Sequence, residues 1–250
     1  MRHFLQLSYD GTAYHGWQIQ PNADTVQARL DSALSTLLRQ PIHSVGAGRT
    51  DTGVHAKMMV AHFDSPGGFD EADLCRRLTR MLPSDIAVAQ IVRVPDDAHA
   101  RFDAIRRTYH YDILLQKNPF RRHFATRIHY ALQFEQMNTA AALLLGTHDF
   151  SSFCKSGTQT KTNRCTVYEA RWMPIESGMY RFRISADRFL RNMVRAIVGT
   201  LFTVGNGRLT IADFQRVLSA ADRGAAGESA PAEGLSLVEV AYPTELFQPV

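Results

Sequence analysis

The chain has 250 residues, of which 45% are apolar and 21% charged, and its formal net charge is +4. This composition is ordinary for a globular protein, and the length suits one large domain or two smaller ones. No apolar run approaches the ~20 residues that a membrane helix needs, and the amino-terminal residues do not resemble a signal peptide. Three widely spaced cysteines, with no Cys-x-x-Cys pair, predict neither a disulfide framework nor a zinc site. We therefore expect a cytoplasmic protein without a bound metal.

The first hundred residues predict the order strand, helix, strand, strand, helix, strand. Alternating apolar residues, helical stripes with polar starts and proline stops, and runs of β-branched residues define these elements. In chain order they are a strand at 5–9, a helix at 26–38, strands at 42–45 and 58–63, a helix at 70–82 and a strand at 86–94.

The second half repeats this order with longer connections. The predicted elements are a strand at 107–115, a helix at 136–145, paired strands at 166–173 and 179–186, helices at 189–202 and from Thr210, and a strand at 237–242. Residues 223–236 are rich in Gly, Ala and Ser and are predicted to be a loop. Two β-α-β-β-α-β runs predict an α+β protein of two ferredoxin-like units, 1–104 and 105–250, whose mainly antiparallel sheets join around a central cleft.

Charge is distributed unevenly along the chain. Residues 101–129 hold seven Lys or Arg against two acids, and residues 155–210 hold ten against three, whereas the last forty residues hold two against six. This asymmetry is typical of a protein that binds a polyanion through the middle of its chain. Solvated faces are an alternative that charge alone leaves open.

The most informative segment is the glycine-rich loop, residues 46–56, which reads Gly46-Ala-Gly-Arg-Thr-Asp-Thr-Gly-Val-His-Ala56. No Gly-Lys-Ser/Thr follows, and Gly-x-Gly-x-x-Gly is incomplete, so the loop is neither a P-loop nor a dinucleotide site. It carries one acid, Asp51, beside Arg49. A carboxylate with a cationic neighbour stays ionised, which suits a nucleophile. That Asp51 merely caps a turn remains an alternative at this point.

Three further segments suggest RNA contacts. Arg188, Arg191 and Arg195 are predicted to share one face of the helix at 189–202, where they would meet phosphates or a carboxylate, or simply solvent. Tyr109 and Tyr111 lie on one face of a predicted strand, either in the core or as a platform for an unstacked base. Residues 155–164 form a polar, basic loop of a type that orders on RNA.

Four motifs in chain order resemble the bacterial tRNA pseudouridine synthase A family over nearly the whole chain. They are Tyr9-Asp-Gly-Thr-x-Tyr-x-Gly-Trp-Gln-x-Gln20 with Thr25-Val-Gln27, Gly48-Arg-Thr-Asp-x-Gly-Val-His-Ala56 with His62-Phe63, Ala100-Arg-Phe-Asp-Ala104 to Tyr111, and Phe189-Leu-Arg-Asn-Met-Val-Arg195 with Gly199. One departure is Met59, where the family pattern leads us to expect a glutamine.

The resemblance implies the pseudouridine synthase fold, a homodimer, and a tRNA substrate modified at uridines 38, 39 and 40 of the anticodon stem-loop. It assigns Asp51 as the catalytic nucleophile, Arg195 as the arginine near it, and Tyr109 as the tyrosine that contacts the target base. Arg49 is expected to order the loop or the RNA.

The implied reaction replaces the N1–C1′ bond of uridine by a C5–C1′ bond. It changes no redox state and imports no group, so we expect no cofactor. The target base must leave the stack to be reached. One alternative is a non-catalytic RNA-binding module, although the sequence has no RNP1-type run. Another is a carboxylate-nucleophile hydrolase, which would need a second acid or a metal cluster near Asp51.

Overall fold

The computed structural model describes residues 1–155 and 162–247, and the chain folds into two compact units. The first unit comprises residues 1–106 with the described residues from Ser236 onward, and the second comprises Arg107–Leu235. Most of the polar loop predicted at 155–164 lies outside the described residues. None of the helices in the described ranges is long and apolar enough to cross a membrane.

The first unit contains the predicted β-α-β-β-α-β order. Its elements are β1 (Arg2–Tyr9), α1 (Val26–Leu38), β2 (Val45–Gly46), β3 (His55–Asp64), α2 (Glu71–Met81) and β4 (Ile86–Val94), together with the carboxy-terminal strand β10 (Leu235–Ala241). The strands run in the order β4-β1-β3-β10, with β2 paired to β3. β1 is antiparallel to both β3 and β4, whereas β10 is parallel to β3.

Each helix of the first unit begins directly after a residue whose side chain caps its amino-terminal end. The side chain of Thr25 accepts a hydrogen bond from Ala28 N at the start of α1, and the side chain of Asp70 does the same for Asp73 N in α2. The buried stripe of α1 includes Leu30 and packs toward a core that contains the wholly buried Phe63 of β3.

The second unit contains β5 (Arg106–Leu114, which begins at the last residue of the first unit), β6 (Thr126–Arg127), α3 (Phe134–Ala142), β7 (Gly146–Asp149), β8 (Arg164–Glu176), β9 (Met179–Ala186), α4 (Met193–Gly205) and α5 (Ile211–Ser219). Its strands run β5-β9-β8-β7, and all three of these pairings are antiparallel. The predicted start of α5 is confirmed, because Thr210 and Asp213 form a capping box. The described chain is therefore the mixed α+β protein that the sequence predicts.

The predicted helix over 189–202 begins later than expected. Asn192 has a left-handed backbone (φ 65°), so regular helix starts only at Met193. Arg188 and Arg191 precede α4, and the prediction of three arginines on one helical face is wrong. The side chain of Arg188 instead donates to Thr162 O at 3.2 Å.

The last strand also differs from expectation. It was assigned to a domain 105–250, but Leu237 of β10 pairs in parallel with Ala56 of β3 and belongs to the first unit. Parallel pairing joins strands that are distant in sequence, so chain order alone could not reveal it. As a statement about independently folding domains, the division at 104 and 105 stays a prediction, as does the central cleft.

Candidate active site

The glycine-rich loop connects β2 to β3 in the first unit. Thr50 is buried, Asp51 is half-buried, and Arg49 is exposed. A turn follows Asp51, in which Val54 N donates to Asp51 O at 3.1 Å and Gly53 has φ +77°. The main-chain carbonyl of Asp51 therefore closes this turn. The carboxylate is placed at the point where the chain reverses into β3.

The loop is held by the opening segment, residues 9–20, which follows β1. Trp17 N donates to Thr50 O at 3.2 Å, and Gly53 N donates to Tyr14 O at 3.2 Å. The hydroxyl groups of Tyr9 and Thr50 are hydrogen-bonded at 2.8 Å in the buried interior. Main-chain bonds on both sides of Asp51 thus fix the path of the loop.

Two glycines of the opening segment make this approach possible. A Cβ atom on Gly16, which has φ +90°, would lie 2.3 Å from Thr50 O, and one on Gly11 would lie 2.0 Å from Val54 O. Both distances are far below van der Waals contact, and the obstructing atoms belong to the main chain. The first two motifs are therefore one local structure, because the glycines of one allow the other to pack against it.

His55 joins the same two segments at the start of β3. It is 2% exposed, and its Nδ1 lies 3.0 Å from Gly11 N and 3.1 Å from Asp10 Oδ1. One ring nitrogen thus meets both a main-chain donor and a carboxylate oxygen. The histidine secures the opening segment against the strand that follows the loop.

Met59, which stands where a glutamine was expected, is fully buried in β3 opposite Leu7 of β1. A thioether fills this apolar position without needing a partner, whereas a buried amide would need hydrogen bonds.

In the second unit, the two tyrosines of β5 have different surroundings. Tyr111 is fully buried, and its hydroxyl is hydrogen-bonded to Thr126 Oγ1 at 2.7 Å and to Pro231 O at 2.9 Å. Burial raises the pKa of Tyr111. Tyr109 is 9% exposed, and its ring meets Phe189 edge-on at a centroid distance of 5.1 Å. Tyr111 is thus a core residue, which leaves Tyr109 as the candidate for base contact.

Arg195 lies in the first turn of α4 and is half-buried. Its Nε donates to Ala230 O at 2.7 Å, while Ala230 N donates to Arg195 O at 2.9 Å. Asn192 Nδ2 donates to Ser229 Oγ at 2.6 Å one turn earlier. The guanidinium is therefore oriented by the segment 228–230.

Gly199 permits the segment 228–230 to lie against α4. A Cβ atom at this position would be 1.7 Å from Glu228 O. The sequence predicted residues 223–236 only as a loop, so their role in orienting Arg195 was missed. Gly199, inside a strongly apolar helix, was the available signal of a close main-chain contact.

Within the described ranges, no group of three or more His, Cys, Asp or Glu side chains is arranged to hold a metal ion. Among the residues that the family resemblance assigns to the site, Asp51 and Arg49 lie in the first unit and Tyr109 and Arg195 in the second.

Comparison with known proteins identifies the family. The family model described as tRNA pseudouridine synthase matches residues 7–103 and 140–243. The chain belongs to this family. It is 54% identical over 249 residues to tRNA pseudouridine synthase A of Porphyromonas gingivalis, and the aligned region covers 98% of this chain and 99% of the relative. It is 42% identical over 246 residues to the protein of the same name from Bacillus subtilis, and the aligned region covers 97% of this chain and 99% of that relative.

Membership confirms the resemblance found in the sequence. As a tRNA pseudouridine synthase, the protein is an isomerase that converts uridine to pseudouridine in tRNA. The alternatives of a non-catalytic RNA-binding module and a small-molecule hydrolase are set aside by this finding.

Proposed function

We propose that the enzyme modifies uridines 38, 39 and 40 of the tRNA anticodon stem-loop, with Asp51 as the nucleophile and without a cofactor. The observation that carries this proposal is the way in which the loop that bears Asp51 is held in place. Its loop is fixed through main-chain bonds and glycine contacts, while its side chain is only half-buried. A rigid backbone that presents a carboxylate to an incoming base is what preorganised catalysis requires.

The reaction is an internal exchange of bonds. The Asp51 carboxylate attacks the flipped uridine at ribose C1′ or at uracil C6, and the N1–C1′ bond breaks. Uracil then turns, C5 bonds to C1′, the bond to Asp51 breaks and frees the carboxylate, the C5 proton leaves, and N1 gains a proton. Either route of attack needs the carboxylate as the nucleophile.

Three other residues are proposed to assist the reaction. Arg195, whose Nε donates to Ala230 O, is proposed to stabilise the charge of the reacting group. Tyr109 contacts the target base, and its hydroxyl accepts the C5 proton. The exposed Arg49, two residues before Asp51, orders the loop on the RNA.

The basic tracts are proposed to contact phosphates on the tRNA arm, although internal ion pairs occupy part of them. Arg106 pairs with Glu239 at 2.9 Å, and Arg181 pairs with Asp112 at 2.7 Å. Exposed arginines such as Arg127 are better placed to meet RNA. We further propose a cytoplasmic homodimer, which is what the family resemblance implies for a tRNA-modifying enzyme.

The test is an unmodified tRNA transcript that carries tritium at uridine C5. We expect the purified enzyme to release tritium in a buffer with EDTA, and sequencing after pseudouridine-specific chemistry to place the product at positions 38, 39 and 40. Release from uridines elsewhere in the tRNA would contradict the proposed target. Activity that EDTA abolishes and a metal restores would contradict the cofactor-free reaction.

A further inference from the structure

The loop at residues 98–104, which follows β4, presents an exposed aromatic ring. Phe102 is 73% exposed, whereas its neighbours Ala98 and Ala100 are 3% and 0% exposed. An exposed apolar ring is not unusual in itself, and Phe120 is more exposed at 92%, so what distinguishes Phe102 is the arrangement of the groups around it. The proposed mechanism does not use this ring.

The main chain of this loop is fixed from three sides within the first unit. Ala100 N donates to Nδ1 of the buried His62 at 3.1 Å, and Ala100 O accepts from the Tyr242 hydroxyl at 2.6 Å. Arg2 Nη1 donates to Ala98 O at 2.9 Å. The loop is thus tied to β3, to β1 and to the segment after β10, and the ring is displayed on a rigid base.

His62 is suited to this role because it remains neutral. Burial, with a smaller contribution from Arg2, lowers its pKa to about 4. Its Nδ1 therefore keeps a lone pair for Ala100 N at neutral pH.

The exposed ring is also positioned by its sequence neighbours. The ring of His99 lies 4.2 Å from that of Phe102 between centroids, and Nδ1 of His99 accepts from Arg101 N at 3.1 Å. Asp103 Oδ2 accepts from His99 N at 2.7 Å, which fixes the start of the turn. The guanidinium carbon of Arg101 lies 5.7 Å from the centre of the Phe102 ring. An aromatic ring flanked by a cation is a common surface for binding a nucleobase.

The 98–104 loop is fastened to β3 at a different point from the one where the glycine-rich loop enters the strand. The glycine-rich loop enters β3 at His55, while the 98–104 loop is fastened at His62, seven residues further along the strand. At ~3.3 Å per residue these two histidines are about 23 Å apart along the strand. The ring is accordingly assigned to a part of the substrate other than the target uridine.

We propose that Phe102, with Arg101 and His99, forms a stacking site for a second, unpaired nucleobase of the tRNA. The proposal rests on the tRNA substrate of the proposed function and adds a contact outside the catalytic centre. Stacking on an aromatic face tolerates any base, and Arg101 supplies a cation for the adjoining phosphate. The site fixes the register of the tRNA arm and does not take part in bond making.

Phe102→Leu separates stacking from ordinary apolar contact, because leucine keeps an apolar side chain but removes the ring. Phe102→Trp keeps the ring and is the matched control. For each protein we would measure tRNA affinity by fluorescence anisotropy, tritium release over a range of tRNA concentrations up to saturation, melting temperature, and mass in solution by light scattering.

We expect Phe102→Leu to raise Kd and KM by roughly 5- to 100-fold, the effect of losing one base–aromatic stack. Its kcat should stay within threefold of wild type, because the lost contact is the same in the ground state and the transition state. Phe102→Trp should bind like wild type, and both variants should keep the melting temperature and mass.

Three results would overturn the stacking site: an unchanged Kd for Phe102→Leu, an equal loss for Phe102→Trp, or a change in solution mass for Phe102→Leu. The last would show that the ring contacts a second copy of the chain. A wild-type enzyme that binds tRNA without releasing tritium would instead refute the proposed function. The two proposals therefore fail by different measurements.

Discussion

Two segments of the first unit, the opening segment and the 98–104 loop, are each fastened to β3 by a buried histidine. Nδ1 of His55 meets Gly11 N, whose segment supports the glycine-rich loop, and Nδ1 of His62 meets Ala100 N in the 98–104 loop. The glycine-rich loop is otherwise held by main-chain bonds to the opening segment, whose Gly11 and Gly16 permit the close approach, and by the bond between the Tyr9 and Thr50 hydroxyls. The 98–104 loop is held mainly by side chains.

This difference follows from what each loop must present. In the proposed function Asp51 meets a reacting atom, and its backbone position is fixed by short, direct main-chain contacts. In the proposed stacking site Phe102 offers a broad ring to a base, and small displacements of a stacking plate cost little. We therefore expect substitutions in the glycine-rich loop to affect turnover, and substitutions in the 98–104 loop to affect binding.

The largest expected effect comes from Asp51→Asn. The amide is nearly isosteric with the carboxylate but cannot act as the nucleophile, so pseudouridine formation should fall below detection. The affinity for tRNA should stay within a few-fold, opposite to the pattern predicted for Phe102→Leu. Tritium release and anisotropy check both values. Substantial turnover by the purified variant would refute the role of Asp51.

The next effect tests whether chemistry is confined to the glycine-rich loop. If the Tyr109 hydroxyl accepts the C5 proton, Tyr109→Phe should bind tRNA normally but turn over roughly 10²–10⁴-fold more slowly. Tyr109→Leu should lose binding of the flipped base as well, because it also lacks the ring. Single-turnover kinetics with separate binding measurements distinguish these outcomes. A fully active phenylalanine variant would reduce Tyr109 to a platform.

The sequence predicted much of this fold because its signals are local. The strand Ile86–Val94 was confirmed at both ends, and Thr210 with Asp213 defined the start of α5. The predicted start of α4 was wrong, because the left-handed backbone of Asn192 leaves no signal in the pattern of apolar residues. The parallel β3–β10 pairing was missed because it links distant segments.

The sequence predicts the motifs of the candidate site separately. It does not predict that the motifs pack against and position one another. That Gly11 and Gly16 pack against the glycine-rich loop follows from contacts across forty residues or so, which spacing does not reveal. The contact by which residues 228–230 orient Arg195 was not predicted for the same reason. The sequence thus predicts the chemical groups, which stay predictions, while the structure shows the contacts that position them.

A smaller effect is expected from testing the glycine contacts themselves. In Gly16→Ala the new Cβ would lie 2.3 Å from Thr50 O on a backbone of φ +90°, so the variant should lose on the order of 2 kcal/mol of unfolding free energy. Gly48→Ala is the matched control, since its Cβ would meet nothing within 4 Å. It should change stability by less than about 0.5 kcal/mol. Denaturant titrations measure both. Equal losses would mean that the close approach at Gly16 is not what stabilises the loop.

The last effect concerns His62 and appears only as a dependence on pH. Its pKa is lowered from 6.5 to about 4 in the folded chain, because burial disfavours the charged ring. Between these two values the unfolded chain takes up a proton that the folded chain does not. Stability should therefore fall as the pH drops from about 6.5 toward about 4, by at most ~1.4 kcal/mol per pH unit for this group.

His62→Asn isolates this contribution, because an amide oxygen replaces Nδ1 as the acceptor for Ala100 N but does not titrate. Burial lowers the pKa values of His3 and His99 as well, so wild type and variant should both lose stability in acid. The variant should lose less, and the difference between the two denaturation curves should grow steadily below pH 6.5. Parallel curves would show that His62 takes up its proton equally in the folded and unfolded chains. The neutral anchor proposed for the 98–104 loop would then be wrong, and the two histidines of β3 would no longer share the role that the comparison gives them.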